Sequence, residues 1–600
     1  KRIFCIALCA LTVLLGLSAC GKKPGDASSV SKASSGAGTP SETGGSETAA
    51  SESSSAGPSN AAAGGSSAAA ASNGTAASSR KPAAPGELGY FQLLKPAAGV
   101  ILDTLTPAFT WEKAESAQSY TLTVSEYTSS GSFVKKFEKA GITATSFKLT
   151  SGLKVNTAYR WLVTAVSGNK KMASYSGEGM GLMFLSKVDA KNHPLNKNKN
   201  FTFKNTVSKE VLMNYLSRSM LMGGFLGLEQ QEIIEEDLRM ILYTGAKYLG
   251  RANTEWNPTL AYYSKYPKIK ENIAKAHGYD PDLVFEACIF ECVSSNVNDI
   301  PIPGWVFEAF GKPAEKRNFS KSNMQFPDGR EIGTWGPGTI VPDITRLETQ
   351  MFFYYRAAAY IDLGFEGLHM GQVHRIGATD SGWATYTKLL KMIRVYAKAH
   401  ARRGFVFINC HTTGMTGSDG KLMFDFHAYP IRGESPAGSV KHVPSEQNPQ
   451  LINVGVGLGG WGSIYKKSLG GTTYSGWSCD SLPYFVEFDN TAAPQPELVD
   501  IPTSGEAARN TSNWWGMDEI TWFTNQPRWY QLSWLEKTYD WIRATDPVGH
   551  FEMPGRHGAA FIRYDTSTTK FYNFVFRANN PYFAKDGQGL EELIRKLWAK

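Results

Sequence analysis

Leu482-Pro-Tyr-Phe-Val-Glu-Phe-Asp-Asn490 is a short apolar run that ends in two carboxylates and an amide. An unbroken apolar run of this length predicts a strand buried on both faces, the type found in parallel sheets covered by helices. Carboxylates at its end, Glu487 and Asp489, cost desolvation free energy unless they are paired or used. Working outward, further candidate strands fall at 219–223, 246–255, 284–293, 367–373, 405–411, 421–429 and 520–525. Between them, 230–243, 260–277, 344–363 and 383–403 carry apolar residues at three and four spacing, the signature of amphipathic helices. Eight strands alternating with helices over about 350 residues predict a (β/α)8 TIM barrel. A dinucleotide-binding fold is disfavoured, because no glycine-rich turn follows the first strand. The glycine-rich 457–462 lies in a long loop without strand-to-helix context.

Composition divides the 600 residues into more than one folded unit. Residues 1–20 read as a signal segment: Lys1 and Arg2, an apolar run shorter than the roughly 20 residues of a spanning helix, then Leu17-Ser-Ala-Cys20. That tetrapeptide resembles the lipobox of bacterial lipoproteins. The resemblance implies cleavage before Cys20, a lipid on its thiol, export, and attachment to the bacterial membrane facing the cell exterior. Residues 21–87 are almost entirely Ser, Ala, Gly and Thr, too poor in apolar side chains to offset the entropy of ordering. They predict a disordered linker whose mean span is on the order of 45 Å.

Residues 88–188 predict an all-β sandwich, with strands at 107–111, 120–124, 146–149 and 159–165 separated by Ser/Gly turns. The early Trp111 and the late Tyr159 resemble the pattern of fibronectin type III modules. The barrel is expected over 200–546, closed by a helix at 528–543, and 547–600 reads as a C-terminal β addition with a terminal helix. Of seven cysteines, three fall in the signal segment. Cys288 and Cys292, about 13 Å apart on an extended strand, are beyond disulfide reach and are expected to be buried small hydrophobes. The net charge of +8 is spread over scattered lysines without aromatic interleaving, so nucleic acid is not an expected partner.

In barrels the chemistry gathers where the strands end. The expected strand tips offer Asn253, Glu255 and Trp256; Glu291; His369, Gln372 and His374; Asn409 and His411; Asp425 and His427; Glu487, Asp489 and Asn490; and Trp522, Asn525 and Gln526. Amides and carboxylates that grip hydroxyls, with aromatic faces that stack on pyranose rings, suit a sugar site. This rim, the architecture and the export signal resemble the (β/α)8 glycoside hydrolases over about residues 205–545. CIFECV (288–293), PIPGWVFEAFGKPAEKRNF (301–319), YIDLGFEGLHMGQVH (360–374), KLMFDFHAYP (421–430) and WGMDEITWF (515–523) resemble segments of a bacterial family of barrel lipoproteins.

In the retaining clan of those hydrolases the nucleophile is a Glu at the tip of the seventh strand, which Glu487 matches. The acid is a Glu after Asn at the fourth strand, where this chain instead has Gly371 and Gln372. A glutamine cannot donate a proton as a carboxylic acid does. Glu291 is the expected substitute, argued from its parity with Ala287 and Ile289, with Asp425 and Glu255 in reserve. The expected reaction is two-carboxylate glycoside hydrolysis. Glu255, Trp256, His369, Gln372, His411, Asp425, His427, Asn490 and Trp522 would bind the substrate, and Trp461 and Trp477 are further stacking candidates. No cofactor is expected, and the expected partner is a glycan or polysaccharide. Two alternatives stay open: a carbohydrate-binding lipoprotein without catalysis, prompted by Gln372, and a metal-dependent hydrolase using His411 and His427. The second lacks the His-x-His pair that barrel metallohydrolases carry on the first strand.

Overall fold

The computed structural model describes residues 84, 86–128, 130–176, 180–411, 415–430, 470–488, 519–524, 526–564, 569–584 and 586–600. The expectations for residues 1–83, Cys20 included, and for Trp461, Asp489, Asn490 and Asn525 lie outside those residues.

Eight antiparallel strands come first: β1 (Leu93–Lys95), β2 (Ala108–Trp111), β3 (Ser119–Tyr127), β4 (Phe133–Ile142), β5 (Ser146–Lys148), β6 (Ala158–Ser167), β7 (Lys170–Ala173) and β8 (Leu182–Leu185). They form one sheet in the order β1-β2-β5 and a second in the order β4-β3-β6-β7, with β8 on β6. Alternation along β3 buries Tyr120, Leu122 and Val124 between half-exposed threonines and serine. These meet Phe109, Trp111, Trp161 and Phe184 in a core shared by both sheets. The Tyr159 hydroxyl accepts the Lys154 N–H at 3.1 Å.

The next strands are β9 (Ser219–Met222), β10 (Tyr248–Asn253), β11 (Val284–Cys288), β12 (Gly367–His369), β13 (Phe407–Cys410), β14 (Phe426–Pro430), a short hairpin of β15 (Gly471–Thr472) and β16 (Ser478–Cys479), then β17 (Tyr484–Glu487), β18 (Gly549–Phe551), β19 (Met553–Tyr564) and β20 (Thr569–Arg577). Apart from β15 and β16 they build one ten-stranded, barrel-like sheet. From β9 to β18 every neighbouring pair is parallel. β19 pairs in parallel with β9 through Met553–Arg556 and then runs antiparallel to β20. Hydrogen bonding therefore passes from β18, across Glu552, back to the first parallel strand.

Helices Gln231–Thr244, Tyr266–Tyr279, Leu347–Leu363 and Ala384–His400 follow the first four parallel strands, and Arg528–Thr545 precedes β18. Among the described residues no helix lies between β13 and β14. In Gln231–Thr244, Ile234, Leu238, Ile241 and Leu242 face the core at helical spacing, and Gly245 ends the helix at a φ of 79°. That left-handed conformation suits a residue without a side chain.

One strand was misplaced by the sequence reading. The stretch 520–525 is not a strand: Glu519–Thr524 is a helix, with Ile520 and Phe523, three apart, both buried. The run beside β17 is instead β18, in the segment read as an addition.

The sheet has two faces with different cores. Tyr248, Val284, Phe407, Phe426, Ala428 and Phe485 share one cluster, and Phe285, Ala287, Ile289, Leu368, Ile408, Val486, Phe551 and Met553 belong to the other, beneath the helices. Following the first set along each strand, the aromatic layer gives way to Glu286, Cys288, His369, Asn409, His411, Glu487 and Glu552, all buried. The parity argument for Glu291 fails at this point, because Ala287 and Ile289 pack on the helix side and Glu286 and Cys288 occupy the inner face. Beyond β20, buried ion pairs hold the tail: Arg577 with Asp237 at 2.7 Å, and Arg239 with Glu591. The Asn580 amide donates to the Tyr127 hydroxyl at 3.0 Å, joining the tail to β3.

Candidate active site

Glu487, at the end of β17, is 1% exposed and held by two side chains. Arg251 spans it as a fork, Nη2 to Oε1 at 2.7 Å and Nε to Oε2 at 3.1 Å, the geometry in which guanidinium and carboxylate pair most strongly. His411 Nε2 lies 2.9 Å from Oε1 and 3.0 Å from Arg251 Nη2. A hydrogen on Nε2 serves the carboxylate, whereas Arg251, whose nitrogens only donate, is served by a bare Nε2, so the two contacts call for opposite tautomers. Burial pushes the Glu487 carboxyl up, but Arg251 and His411 outweigh it and bring it down to about 2. It is ionised at neutral pH.

Arg251 reaches this position through the backbone. Its φ is 52°, a left-handed conformation uncommon for a non-glycine residue, at an irregularity in the β10–β11 register between Leu249 and Asn253. Its N–H donates to Glu286 Oε1 at 3.1 Å. The other Glu286 oxygen accepts from the Tyr248 hydroxyl and the Asn409 amide, both at 2.5 Å. Asn409 Oδ1 lies 2.7 Å from His369 Nδ1, which assigns that nitrogen the hydrogen. His369 Nε2 is then a buried acceptor without a partner, and the ring packs edge-on against His411 at 4.5 Å. Burial, then His411 and Arg251, push His369 down to about 3, so it is neutral.

The third carboxylate is Glu552. Ser219 donates its hydroxyl to Oε1 at 2.6 Å, and Oε2 has no hydrogen-bond partner. Burial, followed by the charges of Glu487 and Glu286, raises this carboxyl well above its ordinary value. Burial also raises Glu286, against the pull of its donors.

Of the residues expected from sequence, Glu487, His411, His369 and Asn409 come together. Glu291 lies elsewhere on the rim: its Oε2 accepts the Gln372 N–H at 3.1 Å and fills the space where Gly371 has no side chain. Its carboxyl thus reaches the tip of the fourth parallel strand from the end of the third. The Gln372 side chain turns away and accepts from Arg375 at 3.1 Å. Burial pushes His374 down to about 4, with Arg375 adding to it.

Other expected residues are engaged outside this cluster. Glu255 accepts from the Tyr360 hydroxyl at 3.2 Å with Arg356 3.6 Å away, and Trp256 packs on Phe290 and Trp335. Asp425 binds Arg394 at 3.1 Å and the Ile408 N–H at 2.8 Å. His427 sits on the helix-side face, stacked on Tyr429, opposite in parity to the inward Phe426 and Ala428. Trp477 donates to the Val207 carbonyl at 3.1 Å and packs against the aromatic layer, away from the rim. Trp522 falls within the helix Glu519–Thr524. Among the described residues, no three His, Cys, Asp or Glu side chains form a metal-binding group. The free thiols of Cys288 and Cys292 are buried.

Sequence reasoning missed Arg251, Glu286 and Glu552. The signal was present in each case as a charge inside an otherwise apolar run: YLGRAN (248–253), VFEAC (284–288) and GHFEM (549–553).

No protein-family model matches the chain, and no curated protein matches it. Solved structures similar to it include three glycoside hydrolases. A β-D-glucuronidase from Dictyoglomus thermophilum is 11% identical, with 86% of this chain and 68% of that chain covered and a TM-score of 0.28. An α-galactosidase from Thermus thermophilus in complex with stachyose is 11% identical, with 46% and 58% covered and a TM-score of 0.23. A Bacteroides uniformis β-glucuronidase is 8% identical, with 78% and 47% covered and a TM-score of 0.24. The chain thus spans between 47% and 68% of the length of these structures. Superpositions this loose carry no functional argument, and the reading below stands on the geometry of the inner face.

Proposed function

We propose that the chain is a glycoside hydrolase built on a (β/α)8 barrel, cleaving glycosidic bonds with two carboxyl groups. The observation that carries this is Glu487: a buried carboxylate held ionised by Arg251 and His411 at the end of the seventh parallel strand. An ionised carboxylate there can attack the anomeric carbon or activate water. Glu291 is the acid, its carboxyl lying against Gly371 and Gln372, where the resemblance places the proton donor. His411 orients Glu487. The two-sheet module ahead of the barrel is fibronectin type III-like, a reading supported by the Tyr159 hydroxyl bond to Lys154. Residues 1–20 are proposed to direct export, with Cys20 as the lipid-bearing residue.

A panel of aryl glycosides and natural glycans tests the reaction. Glu487→Gln is expected to abolish turnover. Glu291→Gln is expected to slow glycosides with poor leaving groups far more than those with activated aryl groups, since only the former need a proton to depart. Equal slowing of both refutes the acid assignment, and full activity of Glu487→Gln refutes the mechanism. Gln372 at the fourth strand tip favours one second reading, glycan binding without cleavage. Glycan retention without release of reducing sugar would establish it. Cys20→Ala is expected to release the protein from the membrane fraction.

A further inference from the structure

We propose that Glu552 is a resident carboxylic acid, a proton store inside the sheet that stays neutral beside the ionised Glu487. The argument begins with placement. The Glu552 N–H donates to the Val486 carbonyl at 2.9 Å, so Glu552 and Glu487 project from neighbouring strands onto the same inner face. Strands of one sheet lie about 4.8 Å apart, close enough for two carboxylates to repel strongly across a dry interior. Room for the second carboxyl is built into β10, since a Cβ at Gly250 would overlap the Glu552 side chain.

The distribution of donors decides which group holds the proton. Arg251 is committed to Glu487 through both fork nitrogens. Glu286 receives three donors, from Tyr248, Asn409 and the Arg251 backbone. Glu552 receives one hydroxyl, from Ser219, and its Oε2 is fully buried with no acceptor or donor against it. Three carboxylates facing one guanidinium cannot all ionise, and the least solvated by hydrogen bonds keeps its proton. Among the described residues, the charged and titratable groups facing Glu552 include Arg251 and Tyr248 from β10, Glu286 from β11 and Glu487 from β17. Burial and the two neighbouring carboxylates act in the same direction on it. With Glu552 neutral, it does not compete with Glu487 for Arg251, and Glu487 keeps its fork. The use of this proton in catalysis rests on the glycosidase reading; its presence does not.

Infrared spectroscopy of the purified chain at neutral pH is the test, because the carbonyl stretch of a protonated carboxylic acid is separate from carboxylate bands. The wild-type minus Glu552→Gln difference spectrum is expected to contain that band, and Glu286→Gln is expected to retain it. Ser219→Ala, which removes the one hydrogen bond on Oε1, is expected to move the band to higher frequency without removing it. This holds even if Glu552→Gln does not fold. Glu592, pushed up to about 7 by burial, contributes a separate band that Glu592→Gln removes. No band in the Glu552 difference spectrum, or loss of the band in Glu286→Gln, overturns the proposal. A band in a protein that turns over no glycoside leaves the proton store standing and removes the glycosidase reading alone.

Discussion

Replacing Arg251 with methionine keeps most of the side-chain volume and removes the fork that holds Glu487. The drop of the Glu487 carboxyl from its ordinary 4.5 to about 2 measures its preference for the charged form. At about 1.4 kcal/mol per pH unit this is about 3 kcal/mol. The cost can be bounded a second way. A carboxylate that loses its partner can escape by taking a proton, and doing so at pH 7 from an ordinary carboxyl value also costs about 3 kcal/mol. Breaking one side of a buried pair typically costs about 3–5 kcal/mol, in the same range. Arg251→Met should therefore lower stability by about 3 kcal/mol at pH 7, read from urea unfolding followed by fluorescence. Glu487→Gln strands the guanidinium and is expected to be destabilising as well. The double variant leaves no charge behind, so the cycle should return a coupling of about 3 kcal/mol. A coupling below about 1 kcal/mol would show that Arg251 does not hold Glu487 ionised, and the electrostatic account of the site would fall.

Three further outcomes follow from the same contacts. Burial holds His193, His369, His427 and His550 neutral at about 3, below the usual 6.5, so unfolding takes up protons and stability falls as pH drops below 6.5, with a slope of up to about 1.4 kcal/mol per pH unit for each histidine. Glu552 and Glu592, raised by burial, release protons on unfolding over the same range and oppose this, so urea midpoints between pH 7 and pH 5 should decline by less than the histidine slope alone, and a rise would show these rings to be solvated. Gly250→Ala drives a methyl into the Glu552 carboxyl and is expected to cost about 1–3 kcal/mol, whereas the same change at Gly278, where nothing lies within 4 Å, should be near neutral. Arg577→Met leaves Asp237 with only the longer contact to Arg556 at 3.4 Å among the described residues and should cost about 3 kcal/mol, exposing the tail to limited proteolysis near 577–590 before the rest of the chain.

The alternation of strands and helices was legible because apolar periodicity is a local property, and the helix at 230–243 was located to within a residue of Gln231–Thr244. The eighth parallel strand was not. Ile520, Trp522 and Phe523 look like strand residues by propensity, yet burial of Ile520 and Phe523 three apart belongs to a helix. The true eighth run lies past the helix at 528–543, which looks like the one that closes the barrel, so it reads as part of a C-terminal β addition. Among site residues, Glu487 stood out by ending an apolar run, and His411 by following one. Glu286 sits in the middle of such a run, and nothing local tells which face of a doubly buried strand meets other carboxylates. Arg251 depends on a backbone irregularity that no periodicity announces. Glu291 was chosen on a parity that the strand does not keep.

The seam between β18 and β19 has a consequence for how the molecule is made. Met222, in the first parallel strand, finds its partner only at Arg556, near the far end of the chain. Pairings this distant close late, because the loop entropy must be met before the contact rewards it. Until the last stretch of chain is available, β9 and β17 both present bare edges, the condition that invites pairing with another copy. A chain truncated before residue 549 should therefore not be a smaller version of this protein but an adhesive one.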